Sequence, residues 1–502
     1  MLSIILLSVC ISLFIFIYSL LNKNRDYWIK RNIVQVNKDA WHFVFGQYSL
    51  SEVYKKLYNN FPSHNYVGTF IGMRPALILR NLDDVQAVLQ SDFQSFYARG
   101  YKSNPKDALT DNLLLIDDYH RWRLLRLKIT PIFTASKLKN MFNIIERCAS
   151  DFVEYIETNQ QAKADMFESL HTYTLASVSA CVFGISSNTH NTMESPILDK
   201  GRDKISSILS FNIKFALSNV WPSLYNFLNL KVFSEHEEFY VGVLKQVLNY
   251  RCENGEKKND FIDTCLQLKK QGALYDSSIG YKLLISDEIL AAQAFSFIIA
   301  GVDTTANSIN FTLLELSNNK DILKRLHDEI DEVFEKCKNK ITFEEIRNMK
   351  YLDMVINESM RKYPPVGLMQ RMCTNDTVLP SSKLKIEKDT IVIVPVFAIH
   401  RDEQYFSNPE LFDPERFSPE NISKIVKFSY LPFGEGNRIC LGSRFTHVQM
   451  KLCLALLLRR YTLRGYNYTS QSFGPSFFGM RDPKPFIIYK LQTTIYDKLK
   501  II

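Results

Sequence analysis

The sequence predicts a mainly α-helical protein with small β-sheets, built as one large unit behind a short apolar N-terminus. Apolar residues recur at helical spacing through most of residues 110–350, the pattern of helices that bury one face. Two stretches, 66–79 and 384–396, carry strand-forming residues around turn signals. No Pro/Gly/Ser-rich linker and no block of like charge divides the 502 residues, so a second domain is not expected. Composition agrees, because 46% apolar and 13% aromatic residues exclude a disordered, collagen-like or small disulfide-stapled protein. Lys and Arg number 61 against 53 Asp and Glu, and the resulting +8 is spread without basic runs. That argues against nucleic acid as a partner and leaves a membrane surface or an acidic protein. Nine cysteines, an odd number with no Cys-x-x-Cys pair, point to a reducing compartment, without a disulfide framework or a zinc site.

The elements follow in order. Leu2 to Leu21 carries no charge and as a helix spans about 30 Å, a bilayer core. No basic stretch precedes it and no small-residue cleavage site follows, so an uncleaved anchor is expected rather than a secretory signal. Lys23, Arg25, Lys30 and Arg31 then keep the C-terminal side cytosolic. The boundaries are 1–22 for the anchor, 23–46 for a linker without proline between Asn32 and Gly46, and 47–502 for the main domain. Tyr66 to Leu79 reads as a hairpin around Gly72-Met73-Arg74-Pro75. Asp287 to Ser317 is apolar on nearly all faces, the mark of a fully buried helix. Thr342 and Glu345 form a capping box, and the helix from Tyr351 to Lys362 is stopped by Pro364-Pro365. Leu384 to Val396 alternates as a strand, and Ser443 to Arg460 is helical again.

The chemistry concentrates in Phe433-Gly434-Glu435-Gly436-Asn437-Arg438-Ile439-Cys440-Leu441-Gly442. Its three glycines permit sharp turns and close backbone approach, and Gly442 lets the next helix begin tightly. Cys440 stands just before that helix, where amides and dipole favour a thiolate, the form in which cysteine binds a soft metal. The other eight cysteines read as small core residues. Within the long apolar helix, Ala300-Gly301-Val302-Asp303-Thr304-Thr305 places an acid and two hydroxyls where desolvation is costly unless they are used. The plainer alternative has Thr304 bonding back one turn and Asp303 paired with a distant cation. Glu358 and Arg361, three apart, share one helix face. Trp122-Arg123-Leu124-Leu125-Arg126 and Arg371 supply further guanidinium groups suited to carboxylates.

Phe433, Gly436, Arg438, Cys440 and Gly442 fill the F-x-x-G-x-R-x-C-x-G signature, and here the chain resembles the cytochrome P-450 superfamily of haem-thiolate monooxygenases. Four further motifs follow the family order: Ala300 to Thr305, Glu358 with Arg361, Phe412-Asp413-Pro414-Glu415-Arg416-Phe417, and Trp122 with Arg126. The resemblance implies the cytochrome P-450 fold over residues 47–502 and a haem b cofactor with Cys440 as axial thiolate and metal ligand. It implies cofactor contacts from Trp122, Arg126, Arg371, Phe433, Gly434, Arg438 and Ala300, and proton delivery to bound dioxygen by Asp303 and Thr304. Arg416 would join Glu358 and Arg361 in a buried structural network. NADPH would supply electrons through a flavoprotein reductase, with cytochrome b5 as a second possible donor, in the endoplasmic reticulum membrane. Arg444-Phe445 and Gln449 look most like the xenobiotic-metabolising animal clan that includes arthropod detoxification forms.

The resemblance also implies a lipophilic small-molecule substrate. Its pocket would draw on the stretch before Trp122, Ile205 to Phe215, Phe295 to Ala300, Val366 to Met369 and Phe473 to Phe478. A reductase would meet Arg123, Lys128, Lys137, Lys139, Arg444 and Lys451. Two other readings compete. A haem-thiolate isomerase or dehydratase acting on a peroxide is disfavoured because such members often lose the acid and alcohol that stand here as Asp303 and Thr304. A single-pass membrane interaction protein without cofactor has only composition behind it.

Overall fold

The computed structural model describes residues 26–36, 49–71, 74–101, 104–184, 191–194, 198, 213–214, 217–218, 221–258, 260–465 and 486–491. The expected anchor Leu2 to Leu21, most of Ile205 to Phe215 and all of Phe473 to Phe478 lie outside them. The described architecture is mainly helical with small sheets, as the sequence predicts.

Its axis is α7, which the chain reaches after α1 (Leu50–Asn59), α2 (Tyr119–Ile129), α3 (Ala135–Thr158), α4 (Met166–Phe183), α5 (Ser234–Asn254) and α6 (Phe261–Gln271). Helix α7 runs Asp287–Asn318; Ser286 caps it by accepting the Ile289 N–H, and Asp287 and Glu288 suit the positive end of its dipole. It is long and apolar enough to cross a membrane, but most of it is buried inside the protein, so it is a core helix. Helix α4 packs along it, with a Val178 methyl 3.2 Å from where a Cβ on Gly301 would stand. The far side of α4 is tied to α10 (Ser443–Leu458): Tyr173 donates to the Gln449 carbonyl at 2.9 Å, and the Gln449 amide donates to Ser177 Oγ. The helix after the cysteine loop is thereby registered to the core.

A four-stranded sheet flanks this body. Strands β1 (Tyr66–Ile71) and β2 (Arg74–Leu79) form the expected hairpin, with Tyr66 opposite Leu79 and Ile71 opposite Arg74. Strand β6 (Ile391–Val394) lies parallel to β2, and β5 (Met369–Met372) runs antiparallel to β6 at the other edge. Only these four residues of the alternating 384–396 stretch join the sheet. Asp389 at φ 68° turns the chain before them, and Lys385–Ile386 pair with Thr377–Val378 instead. A hairpin absent from the sequence reading, β3 (Ala273–Asp276) with β4 (Tyr281–Leu284), separates α6 from α7. Helices α8 (Lys320–Lys336) and α9 (Lys350–Lys362) follow α7, the latter ending before Pro364 as expected. Thr342 and Glu345 do make a capping box. Strands β7 (Tyr461–Arg464) and β8 (Ile487–Lys490) pair at the end of the described chain.

Residues 26–36, which the sequence reading places in a linker, are docked on β1. The cause is Trp28, 2% exposed, which lies over Gly68 and donates its indole N–H to the Thr69 carbonyl at 2.8 Å. Tyr27 and Arg31 both bond Glu387, at 2.8 and 2.7 Å. An aromatic ring seated over a glycine and a two-point carboxylate clamp thus fix residues 26–36 on the domain.

Candidate active site

The cysteine loop is shaped by two glycines in the left-handed region. Gly434 has φ 70° and Gly436 φ 75°, and a Cβ on Gly436 would run into the Leu89 carbonyl. Gly442, expected to permit close approach, has φ −85° and no protein atom within 4 Å of an added Cβ. The loop then closes on itself, because the Cys440 N–H donates to the Phe433 carbonyl at 2.9 Å. Cys440 is surrounded by protein on most sides, yet its own surface is open, which leaves room for a ligand at the sulfur. Burial pushes its thiol pKa up. The amides of Gly442 and Ser443 and the charges of Arg126 and Arg99 pull the other way.

Four guanidinium groups cluster beside this loop, and two of them, Arg126 and Arg99, act on the thiol. Arg438 is 4% exposed; it donates to the Ile116 carbonyl at 2.7 Å and stacks over Trp122 with its Cζ 4.6 Å from the ring. Arg371 is 3% exposed and donates to the Gln370 carbonyl. Arg126 donates to the Ile439 carbonyl at 2.7 Å, holding the residue next to Cys440. The fourth, Arg99, is missing from the sequence reading, since a lone Arg in Phe96-Tyr97-Ala98-Arg99-Gly100 carries no motif. Desolvation first, then neighbouring cations, push Arg438 down to about 8, Arg371 to about 9 and Arg126 to about 10. A guanidinium stays protonated, so these depressions measure how poorly the cluster is compensated. Asp117 offsets part of it, accepting the Arg99 and Gly100 amides. Nε of Arg371 and Nε of Arg438 are buried and have no hydrogen-bond partner. Surplus buried cations with two unsatisfied donors, beside an open thiol, fit a dianionic group carrying a metal, as two haem propionates would be.

Helix α7 contributes Ala300, which is exposed between half-buried Ile299 and Gly301. Thr304 on the same face donates to the Ala300 carbonyl at 2.6 Å, and Asp303 Oδ1 stands 3.2 Å from His171 Nε2. Thr304 thus bonds back one turn, as the plainer alternative has it, and Asp303 is paired across helices with a histidine. Phe295 and Phe297, expected in the pocket wall, pack instead in aromatic core contacts with Phe233, Tyr240, Phe133 and Phe261.

Behind the site, Glu358 and Arg361 are both fully buried and joined at 2.7 and 2.9 Å. Arg361 also donates to the carbonyls of His400 and Pro409, at 2.8 and 2.7 Å, and Arg416 reaches Glu358 at 3.4 Å. His400, unmarked in the sequence reading, completes this knot. Its Nε2 accepts the Leu431 N–H at 2.7 Å, so the ring proton is on Nδ1, 2.9 Å from the Arg361 carbonyl. The histidine thus links the Glu358–Arg361 helix to the start of the cysteine loop.

On the outer side of that loop lies a cleft of about 670 Å³, lined among others by Phe433, Glu435, Ile439, Arg444 and His447. Two of the cations expected to face a partner here are committed elsewhere. Lys451 is 3% exposed and donates to the carbonyls of Ile346, Arg347 and Met349 while pairing with Asp353 at 2.6 Å. Arg123 is paired with Asp276 at 2.8 Å. Lys128, Lys139 and Arg444 are exposed.

A family model described as Cytochrome P450 matches residues 27–487. Cytochrome P450 6B7 of Helicoverpa armigera is 32% identical over 479 residues, covering 92% of each chain. Cytochrome P450 6k1 of Blattella germanica is 34% identical over 415 residues, 80% of this chain and 79% of that one. Cytochrome P450 6A1 of Musca domestica is 33% identical over 455 residues, 87% of this chain and 88% of that one. With the cysteine loop, the cation cluster and the long helix in place, neither an interaction protein without cofactor nor a peroxide isomerase is favoured. The chain belongs to the cytochrome P450 family, as a haem-thiolate monooxygenase that takes electrons from NADPH through a reductase and acts with dioxygen on a lipophilic small molecule.

Proposed function

We propose that Cys440 would hold the haem iron and that Trp122, Arg126, Arg371 and Arg438, joined by Arg99, would hold the two propionates. What carries this reading is the coincidence of an open thiol, surrounded by protein on most sides, with surplus buried guanidinium charge. Binding iron takes the thiol proton away, against the burial that otherwise retains it. Phe433, Gly434 and Ala300 would bound the macrocycle. When bound, the haem supplies the redox chemistry of oxygen activation, with the thiolate pushing electron density toward O–O cleavage. The chain's own part is positioning and protons. Thr304 Oγ1, a rotor now turned to the Ala300 carbonyl, can turn to present its proton, and Asp303, once its carboxylate has taken a proton from solvent water, can resupply it.

Residues 1–22 are read as a single-pass anchor in the endoplasmic reticulum membrane, and 47–502 as the monooxygenase domain, with residues 26–36 docked onto it. Cytochrome b5 is a second electron donor in this reading, and xenobiotics are the substrate class. Cys440→Ser tests the ligand. It is expected to abolish the thiolate-type Soret band of the reduced carbonyl complex, and survival of that band unchanged would reject Cys440.

A further inference from the structure

We infer that His171 is a positioning residue for Asp303, holding the proton-handling carboxylate of α7 in a fixed orientation from the neighbouring helix α4; the inference rests on the relay assigned above to Asp303 and Thr304. An aspartate in mid-helix has two ways to spoil itself for proton delivery. It can rotate among rotamers, or bond to nearby backbone and side-chain donors. His171 Nε2 stands 3.2 Å from Asp303 Oδ1, with the two side chains 20% and 46% exposed. The imidazole is therefore the more enclosed partner and the carboxylate the more open one, as suits a fixed holder and a group that exchanges protons.

The holder is itself rigidly placed. Tyr173 and Ser177, two and six residues on, tie α4 to Gln449 of α10, while Val178 meets Gly301. His171 is thus registered both to the helix that follows Cys440 and to the glycine of the acid-alcohol segment, so it relates the acid to the ligand loop through packed helices rather than through a loop. The ring's second nitrogen, Nδ1, is buried without a hydrogen-bond partner, so the contact to Asp303 is the ring's polar tie to α7. A permanent cation such as Lys would hold that carboxylate by full charge, whereas a ring N–H orients it through one hydrogen bond.

The test uses the haem-loaded full chain with a fluorogenic alkoxycoumarin as probe substrate. His171→Leu should lower product formed per NADPH on the order of 10-fold, against on the order of 100-fold for Asp303→Asn, with hydrogen peroxide accounting for the missing electrons. KM, haem content and the ferrous-carbonyl spectrum should stay as in the wild type. His171→Gln, whose amide N–H can reach the place of Nε2–H, should restore most of the coupling. The double variant should be no worse than Asp303→Asn alone. Thermal unfolding reads the same pair without catalysis: the two single substitutions should lower the midpoint non-additively. Should His171→Leu fail to retain haem, His171→Asn takes its place, with a polar side chain too short to reach Oδ1. Wild-type coupling in these variants, or losses that multiply in the double variant, would overturn the role of His171. Wild-type coupling in Asp303→Asn would instead overturn the relay itself, and this inference with it.

Discussion

At the scale of single residues, the site works by leaving particular groups short of partners. Nε of Arg371 and Nε of Arg438 are buried without acceptors, and desolvation, with mutual repulsion added, depresses the cluster, so a dicarboxylate held there would supply both charge and hydrogen bonds. Thr304 shows the opposite economy: its hydroxyl already has an acceptor in Ala300, and it can serve the reaction only by exchanging that bond for another. Thr304→Ala should therefore keep haem and the ferrous-carbonyl spectrum while diverting NADPH to hydrogen peroxide, with product falling on the order of 100-fold. Full coupling of NADPH to product in this variant would remove Thr304 from the relay. Cys440, Arg438, Arg126, Asp303 and Thr304 were all legible in the sequence, because motif spacing marks them. Arg99, His171 and His400 were not. Each acts through partners 18 to 341 positions away, such as Arg99 with Asp117 and Cys440 or His171 with Asp303, and no local pattern encodes such pairings.

At the scale of elements, local chemistry predicted what is locally determined. The β1–β2 hairpin, the Thr342 capping box, the stop of α9 at its prolines and the buried α7 all follow from neighbouring residues. What failed was tertiary in origin. Leu384 to Val396 reads as one strand, yet only β6 finds a partner in β2, and Asp389 breaks the run. Trp28 looks like any linker aromatic until Gly68 offers a surface without a side chain to receive it. Glycine roles separate in the same way. Gly436→Ala must accept φ 75° and a Cβ driven into the Leu89 carbonyl, so the loop can adopt its shape only by displacing the turn that holds Leu89. Gly442→Ala meets neither obstacle. Purified in parallel, Gly436→Ala should carry little haem per chain and Gly442→Ala close to the wild-type amount. Equal haem in the two would show that the loop does not depend on the approach of Gly436 to Leu89.

At the scale of the whole molecule, the buried network behind the site is expected to weaken stability in acid, and the outer face of the cysteine loop is the surface proposed to receive electrons. Burial lowers the His400 pKa from 6.5 to about 3, although its bond to the Arg361 carbonyl opposes the shift. Below pH 6.5 the unfolded chain thus binds a proton that the folded chain refuses. Stability from this group is complete at neutral pH and falls by about 1.4 kcal/mol per unit as pH drops from about 6.5 toward 3. His400→Gln, weaker at pH 7 through a lost hydrogen bond, should close the gap in thermal midpoint to the wild type between pH 6.5 and 4.5. A constant gap would mean that His400 titrates alike in both states. On the outer face, Arg444 lines the cleft under Phe433 and Ile439, and Lys128 and Lys139 are exposed, whereas Lys451 is committed to three carbonyls and Asp353. An acidic reductase surface would be drawn to the first set, and such attraction raises association rate and fades over a Debye length of about 8 Å at physiological salt. Lys128→Glu with Arg444→Glu should therefore slow NADPH-driven turnover several-fold at low salt, with the deficit shrinking as salt rises, and leave peroxide-driven turnover at its wild-type rate. Lys451→Glu should instead lower haem content and both turnovers together, because it breaks the tie between α10 and the segment before α9. Equal loss on the two routes for the Lys128 and Arg444 pair would assign those residues to the fold and place the docking surface elsewhere.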